Sequence, residues 1–158
     1  MKLSTKGRYG LRALIDLAEY GEHDAVSVIS ISERQHISES YLEQLFRLLK
    51  KAGLVNSIRG AGGGYQLARD PKEISVAEVL RALEGDLEPV SCSALSEDSP
   101  CDAADMCVTK HVWKRLNEAI EDALESMTIS ELVTDSRRVH RAAANGEITE
   151  CENMRCSG

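Results

Sequence analysis

Two helical segments joined by a tight turn, a pair of short glycine-linked strands directly after them, and one long amphipathic segment further on predict a mainly α fold. The order is that of a winged helix-turn-helix domain with a small β-hairpin wing, plus a long helix. At 158 residues the chain can build one globular core with an appended element.

The first helix is expected from Thr5 to about Tyr20, because Leu11, Leu14, Ile15 and Ala18 recur at helical spacing and Gly21 ends the run. Val26-Ser27-Val28 reads as a short strand or a lead-in. Ser30 and Glu33 have capping-box spacing, which predicts a short helix from Ile31 to His36. Ser38 is expected to cap the next helix, which carries Leu42, Leu45, Phe46 and Leu49 and stops at Gly53. Leu54–Arg59 and Tyr65–Ala68 then read as two strands around the Gly60-Ala61-Gly62-Gly63-Gly64 connection. An ordinary long hairpin turn would also use such glycines. Their place directly after a basic helix, with Arg59 at the base, favours a wing. No Lys-Ser/Thr follows them, so they do not read as a nucleotide-binding loop.

Ser75 and Glu78 form another capping box, opening a helix over Val76 to Leu83 that Gly85 ends. A long helix is expected from about Met106 to Met127, with Val108, Val112, Leu116, Ile120, Ala123, Leu124 and Met127 on one broad apolar face. Trp113 is expected to pack at a helix interface. Thr128 and Glu131 cap one more short helix, and the polar run from Asp135, with Arg137, Arg138 and Arg141, predicts disorder. The organisation expected is therefore 1–85 as the winged helix-turn-helix domain and 86–107 as a cysteine loop. The long helix and a short docking helix fill 108–134, and 135–158 is a disordered tail.

The net charge of −7 conceals an asymmetry. Residues 1–70 carry ten Lys/Arg against eight Asp/Glu, a net of +2, and the remainder carries nine against eighteen, a net of −9. Binding phosphate needs a local basic face rather than a basic protein, so charge permits DNA binding. No run of about 18 apolar residues is present, so no membrane span is expected. The amphipathic N-terminus, which carries Asp16 and Glu19, does not fit a signal peptide. A cytoplasmic protein is expected, in which the five cysteines serve as metal ligands or redox thiols rather than disulfides.

Two constellations carry chemistry. On the second helix of the pair, Ser38, Ser40, Tyr41, Glu43 and Gln44 fall in the first turns, where a recognition helix meets base edges. Gln44 can pair with adenine and Glu43 can accept from a cytosine amino group. Arg47 and Lys50 lie further along, where phosphate contacts are natural, and Arg59 in the wing can enter a minor groove. A solvated charged helix would explain Glu43, Arg47 or Lys50 singly; the set followed by a wing favours DNA.

The second constellation is Cys92, Cys101, Cys107 and His111, spaced C-x8-C-x5-C-x3-H. Three thiolates and an imidazole can complete a shell for zinc or for an iron–sulfur cluster. Zinc fingers bring their cysteines in closer pairs, and the neighbouring Asp98, Asp102 and Asp105 disfavour an anionic tetrathiolate, so one imidazole suits the site. A structural zinc site and unligated redox thiols remain the alternatives. Cys107 and His111 are expected on one helix face. Cys151 and Cys156 are read as incidental or redox-active, and His23, His36 and His140 as ordinary surface or core histidines. No nucleophile–base pair is found, so an enzyme is not expected.

MKLSTKGRYGLRAL, the segment from SERQHISESYLEQLFRLLKKAGLVNSIRG to AGGGYQLA, and the cysteine loop closing in CVTKHVWKRL resemble the IscR-type regulators. That group also includes the nitric-oxide sensor NsrR and the cysteine-metabolism regulator CymR. The resemblance spans roughly residues 1–134. It implies a homodimer joined by the long helix, which is then a dimerisation helix, and a double-stranded palindromic operator. It implies a 2Fe–2S cluster on Cys92, Cys101, Cys107 and a histidine, control of iron–sulfur assembly genes, and assembly proteins as further partners. Ser40, Tyr41, Glu43, Gln44 and Arg59 match DNA-contacting or specificity positions, and the glutamate matched by Glu43 takes part in operator discrimination. The chain departs from the group in a longer spacing between Cys92 and Cys101, and in holding Lys110 where the ligating histidine usually stands, with His111 one position on. NsrR-like relatives use a partner carboxylate near position 8, which is Arg8 here. A nitric-oxide sensor with a 4Fe–4S cluster and an iron–sulfur carrier are the rival readings.

Overall fold

The computed structural model describes residues 4–88, 90, 92, 95, 101 and 106–146. Among these residues there are six α-helices, a short 3-10 turn at Pro71–Glu73 and one two-stranded antiparallel sheet.

Helix α1 spans Thr5–Tyr20, starts at Ser4, whose hydroxyl accepts from the Lys6 N–H, and ends at Gly21. Its core face carries the fully buried Ala13, Leu14 and Leu17. Helix α4, Val76–Glu84, packs across its first turns. Gly7 and Gly10 permit that approach: a Cβ on Gly10 would lie 2.4 Å from Leu83 Cδ1, and one on Gly7 2.7 Å from Glu84 Oε1.

Helix α2 spans Val28–Gln35 and so begins one turn earlier than the Ser30–Glu33 spacing predicts. Ser27 is the cap: its Oγ accepts from the Ser30 N–H at 3.1 Å, and Ser30 lies inside the first turn. The turn into helix α3, Glu39–Lys51, is made by His36 in the left-handed region (φ 53°) and is held by the Ser32 hydroxyl donating to Ile37 O at 2.6 Å. α3 buries Leu42, Leu45, Phe46 and Leu49. It ends as a Schellman motif, with Gly53 at φ 74° and the N–H groups of Gly53 and Leu54 donating to Lys50 O and Leu49 O.

Strands β1, Val55–Ile58, and β2, Gly64–Leu67, pair antiparallel in the register Val55↔Leu67 to Ile58↔Gly64. Tyr65 stacks on Phe46 at 4.5 Å, fixing the hairpin to the core. Val26 adds a bridge to Tyr65, so the lead-in to α2 serves as a third edge of the wing. Only glycine fits at 64, where a Cβ would lie 2.2 Å from Val26 O.

Capping boxes open both α4, at Ser75, and α6, Ile129–Ala144, at Thr128. The two caps are joined, since Val76 N–H donates to Met127 O and Ile129 N–H to Ile74 O. Helix α5, Thr109–Glu125, starts and stops inside the expected Met106–Met127 span and has no buried residue.

Polar composition predicts a short docking helix ending at 134 and disorder from Asp135, but α6 continues to Ala144. Its second half is held by polar contacts to α1: Ser136 Oγ donates to Glu19 Oε2 at 2.7 Å, Arg137 reaches Glu19 O and Glu22, and His140 Nδ1 lies 3.2 Å from Glu19 Oε1. A helix docked by hydrogen bonds and ion pairs leaves no apolar stripe to read. Residues 147–158, including Cys151 and Cys156, lie outside the described residues, as do Asp98, Asp102 and Asp105.

Candidate nucleic-acid interface and cysteine loop

The periodicity that buries Leu42, Leu45, Phe46 and Leu49 turns the opposite face of α3 to solvent. Ser38, Ser40, Glu43, Gln44, Arg47 and Lys50 are all exposed. Ser38 caps α3 without a side-chain cap hydrogen bond. Tyr41 is half-buried at the edge of this face, with its ring edge-on to Tyr9 at 6.2 Å and its hydroxyl donating to Thr5 Oγ1 at 3.2 Å. The start of α1 therefore lies beside the start of α3. Lys50 Nζ donates to Ser57 Oγ and ties the far end of α3 to β1. Arg59 is exposed where β1 leaves the sheet, followed by Gly60 at φ 117° and a turn closed by Gly63 N–H to Gly60 O at 2.9 Å. Eight candidate residues thus sit on α3 and the wing; Tyr41 and Lys50 are hydrogen-bonded within the fold, and the other six side chains are exposed.

Between α1 and the end of α2 lies a network that periodicity alone did not single out. Asp16, 2% exposed, accepts from Arg34 Nη2 at 2.6 Å, Arg34 Nε at 3.0 Å and Gln35 Nε2 at 2.9 Å. Arg12 donates to Gln35 Oε1 at 3.2 Å and to Gln35 O at 3.1 Å. Arg34 also lies over the Tyr20 ring, 4.1 Å from its centroid. The signal that could have revealed this is Asp16 itself, a charge between Ala13 and Leu17 in an apolar stripe.

The loop after α4 carries the candidate ligands. Cys92, Cys101 and Cys107 are free thiols, each partly exposed. The start of the loop is held by Glu88 N–H donating to Asp86 Oδ1 at 2.9 Å, and Cys92 O accepts from Leu95 N–H at 2.9 Å. Cys107 precedes α5 rather than sharing a helix face with His111. Its Sγ lies 3.1 Å from Thr109 Oγ1. The Thr109 hydroxyl, the N–H groups of Lys110 and Thr109, and the Lys110 charge hold its thiol below the usual range, which favours thiolate. His111 is exposed in the first turn of α5 and lines a groove of about 480 Å³ with Leu95, Lys110, Lys114 and Asn117. Asn117 Oδ1 in this groove is buried and has no hydrogen-bond partner among the described residues. Among the described residues no three His, Cys, Asp or Glu side chains gather as a ligand set. The donor set is chemically suited to a thiolate-rich centre, and the structure places Leu95 of the loop against the same groove as His111.

No described helix is long and apolar enough to cross a membrane. Residues 3–135 match the family model of Rrf2, an iron-dependent transcriptional regulator. A curated relative, the HTH-type transcriptional regulator IscR of Vibrio parahaemolyticus, is 42% identical over 136 residues, covering 86% of this chain and 79% of its own length. Among solved structures, IscR of T. potens is 44% identical with a TM-score of 0.68, covering 86% of this chain and 88% of that one. CymR, the global cysteine regulator of B. subtilis, is 40% identical with a TM-score of 0.71, covering 85% and 97%. These relatives are named as regulators, not enzymes, and they share the winged-helix architecture built above. The chain belongs to the Rrf2 family, as an IscR-type, DNA-binding transcriptional regulator.

Proposed function

We propose that this regulator is a homodimer that reads a palindromic operator and senses a 2Fe–2S cluster, controlling iron–sulfur assembly genes in the cytoplasm. The observation that carries the reading is the position of the three free thiols. They lie on the segment joining the winged-helix domain to α5, so a centre bound there acts on both at once. Cys92, Cys101 and Cys107 would hold the cluster, and His111 is the fourth ligand assigned, since it faces the groove that Leu95 of the loop also lines. Imidazole in place of one thiolate lowers the ligand charge and raises the potential of such a centre.

In this reading residues 1–85 bind DNA, 86–107 bind the cluster, and α5 joins two copies. Ser38, Ser40, Tyr41, Glu43 and Gln44 face base edges, Arg47 and Lys50 face phosphate, and Arg59 enters the minor groove. Ordering of the loop biases the equilibrium between a pair of recognition helices at operator spacing and a pair that is not.

Anaerobic purification followed by iron and sulfide analysis and electron paramagnetic resonance tests the cluster. About two irons and two sulfides per chain are expected. Cys101→Ala is expected to lose them, and unchanged content in that variant would remove Cys101 from the ligand set. About four irons would instead indicate the larger cluster of a nitric-oxide sensor, and zinc alone would make the centre structural.

A further inference from the structure

The recognition helix packs through its own Leu42, Leu45, Phe46 and Leu49, but the helix before it makes little apolar contact. α2 buries a single residue, Ile31, and is eight residues long. Its apolar anchor is Ile31 with the partly buried Val28 beside it, and Ile37 is buried just beyond its end. The second anchor is polar: the carboxylate of Asp16, gripping Arg34 and Gln35 at the end of α2, with Arg12 bonded to both the side chain and the carbonyl of Gln35. The next residue is His36, in the left-handed conformation, and α3 begins after it. The clamp therefore sits one residue upstream of the turn that aims the recognition helix.

α1, which carries the clamp, is itself fixed at both ends. Glu84 of α4 accepts from Ser4 and Gly7 at its start, and Ser136, Arg137 and His140 of α6 engage Glu19 at its finish. The frame that bears α4 and α6 meets the recognition helix directly, as where Tyr9 and Thr5 touch Tyr41, and reaches its leading turn through Arg12 and Asp16 at the end of α2.

We propose that Asp16 and Arg12 are positioning residues for sequence readout, acting through Arg34 and Gln35 to set the angle of α3. The inference rests on the DNA-binding reading above. Asp16 is buried and touches no DNA; its effect is on geometry. Bidentate pairing with base edges tolerates only small errors in position, whereas phosphate attraction tolerates large ones. Stability does not by itself account for a buried carboxylate here, because an apolar pair of similar volume commonly serves stability as well or better.

The test uses the full-length protein purified anaerobically. A duplex is selected by the wild type from a randomised pool, and affinities are measured for the selected duplex and for the unselected pool across a salt series. Three variants are compared: Asp16→Asn, Arg12→Met, and the apolar exchange Asp16→Leu with Arg34→Met. The double variant keeps the fold testable where Asp16→Asn alone unfolds. Affinity for the selected duplex is expected to fall about tenfold or more, the size of one or two mismatched base pairs. Affinity for the unselected pool, and its salt slope, stay at the wild-type values. A folded double variant with an unchanged ratio of selected to unselected affinity would overturn the proposal, as would an equal fall for both, which marks lost phosphate contact. A wild type that enriches no sequence would overturn the DNA-binding reading itself, a distinct result.

Discussion

Arg59 shows what a single side chain contributes once its backbone is fixed. It stands where β1 ends and the chain turns through Gly60, fully outside the core, so truncating it leaves the fold intact. Arg59→Ala is expected to weaken operator binding by about 1–3 kcal/mol if it reads the groove, measured by anisotropy titration with little change in unfolding midpoint. An affinity equal to that of the wild type would take it off the interface. Cys107 makes a different point. Its place in the sequence suggests a ligand, and the bias toward thiolate comes from Thr109 and Lys110, near neighbours that the first turn of α5 aims at the sulfur. Lys50, read as a phosphate contact, is hydrogen-bonded to Ser57 across the base of the wing. It positions the wing as well as offering charge.

At the scale of elements, α5 is the odd one. Val108, Val112 and Leu116 are 79%, 56% and 40% exposed, and the helix between Thr109 and Glu125 has no buried residue. In the homodimer proposed above, a second copy of α5 would cover this stripe across a C2 interface, each helix meeting the same face of its partner. Leu116→Glu is therefore expected to give a monomer in sedimentation and to reduce operator affinity, because one half-site is lost; a dimer of unchanged stability would move the interface elsewhere. The amphipathic elements were legible from sequence because apolar spacing directly encodes burial. α2 and the second half of α6 were misplaced because their limits are set by other means: the Ser27 cap in one case, the Glu19 cluster in the other. Neither leaves a periodic trace.

Over the whole molecule, α1 is the shared strut, and Glu84 ties its start to α4. Burial pushes the Glu84 carboxyl up, but hydrogen bonds from the Ser4 hydroxyl and from the Gly7 and Ser4 N–H groups outweigh it and hold the group below its ordinary value of 4.5. A carboxylate depressed in the folded state contributes stability above its unfolded pKa and loses it as pH falls through the folded one. The difference in unfolding free energy between the wild type and Glu84→Gln should thus be largest above the ordinary value of 4.5 and shrink as pH falls below it. A difference independent of pH would mean that the carboxylate charge contributes nothing to the tie. The sequence by itself determined the helix-turn-helix, the wing, the capping boxes of α4 and α6, and which residues face outward on α3, because each follows from spacing within one segment. Tertiary structure alone decided that Asp16 grips the end of α2, that α6 reaches Ala144, and that His111 shares a groove with Leu95. The reason is physical: local periodicity records which side faces the core, whereas a polar contact between distant segments depends on where two backbones meet.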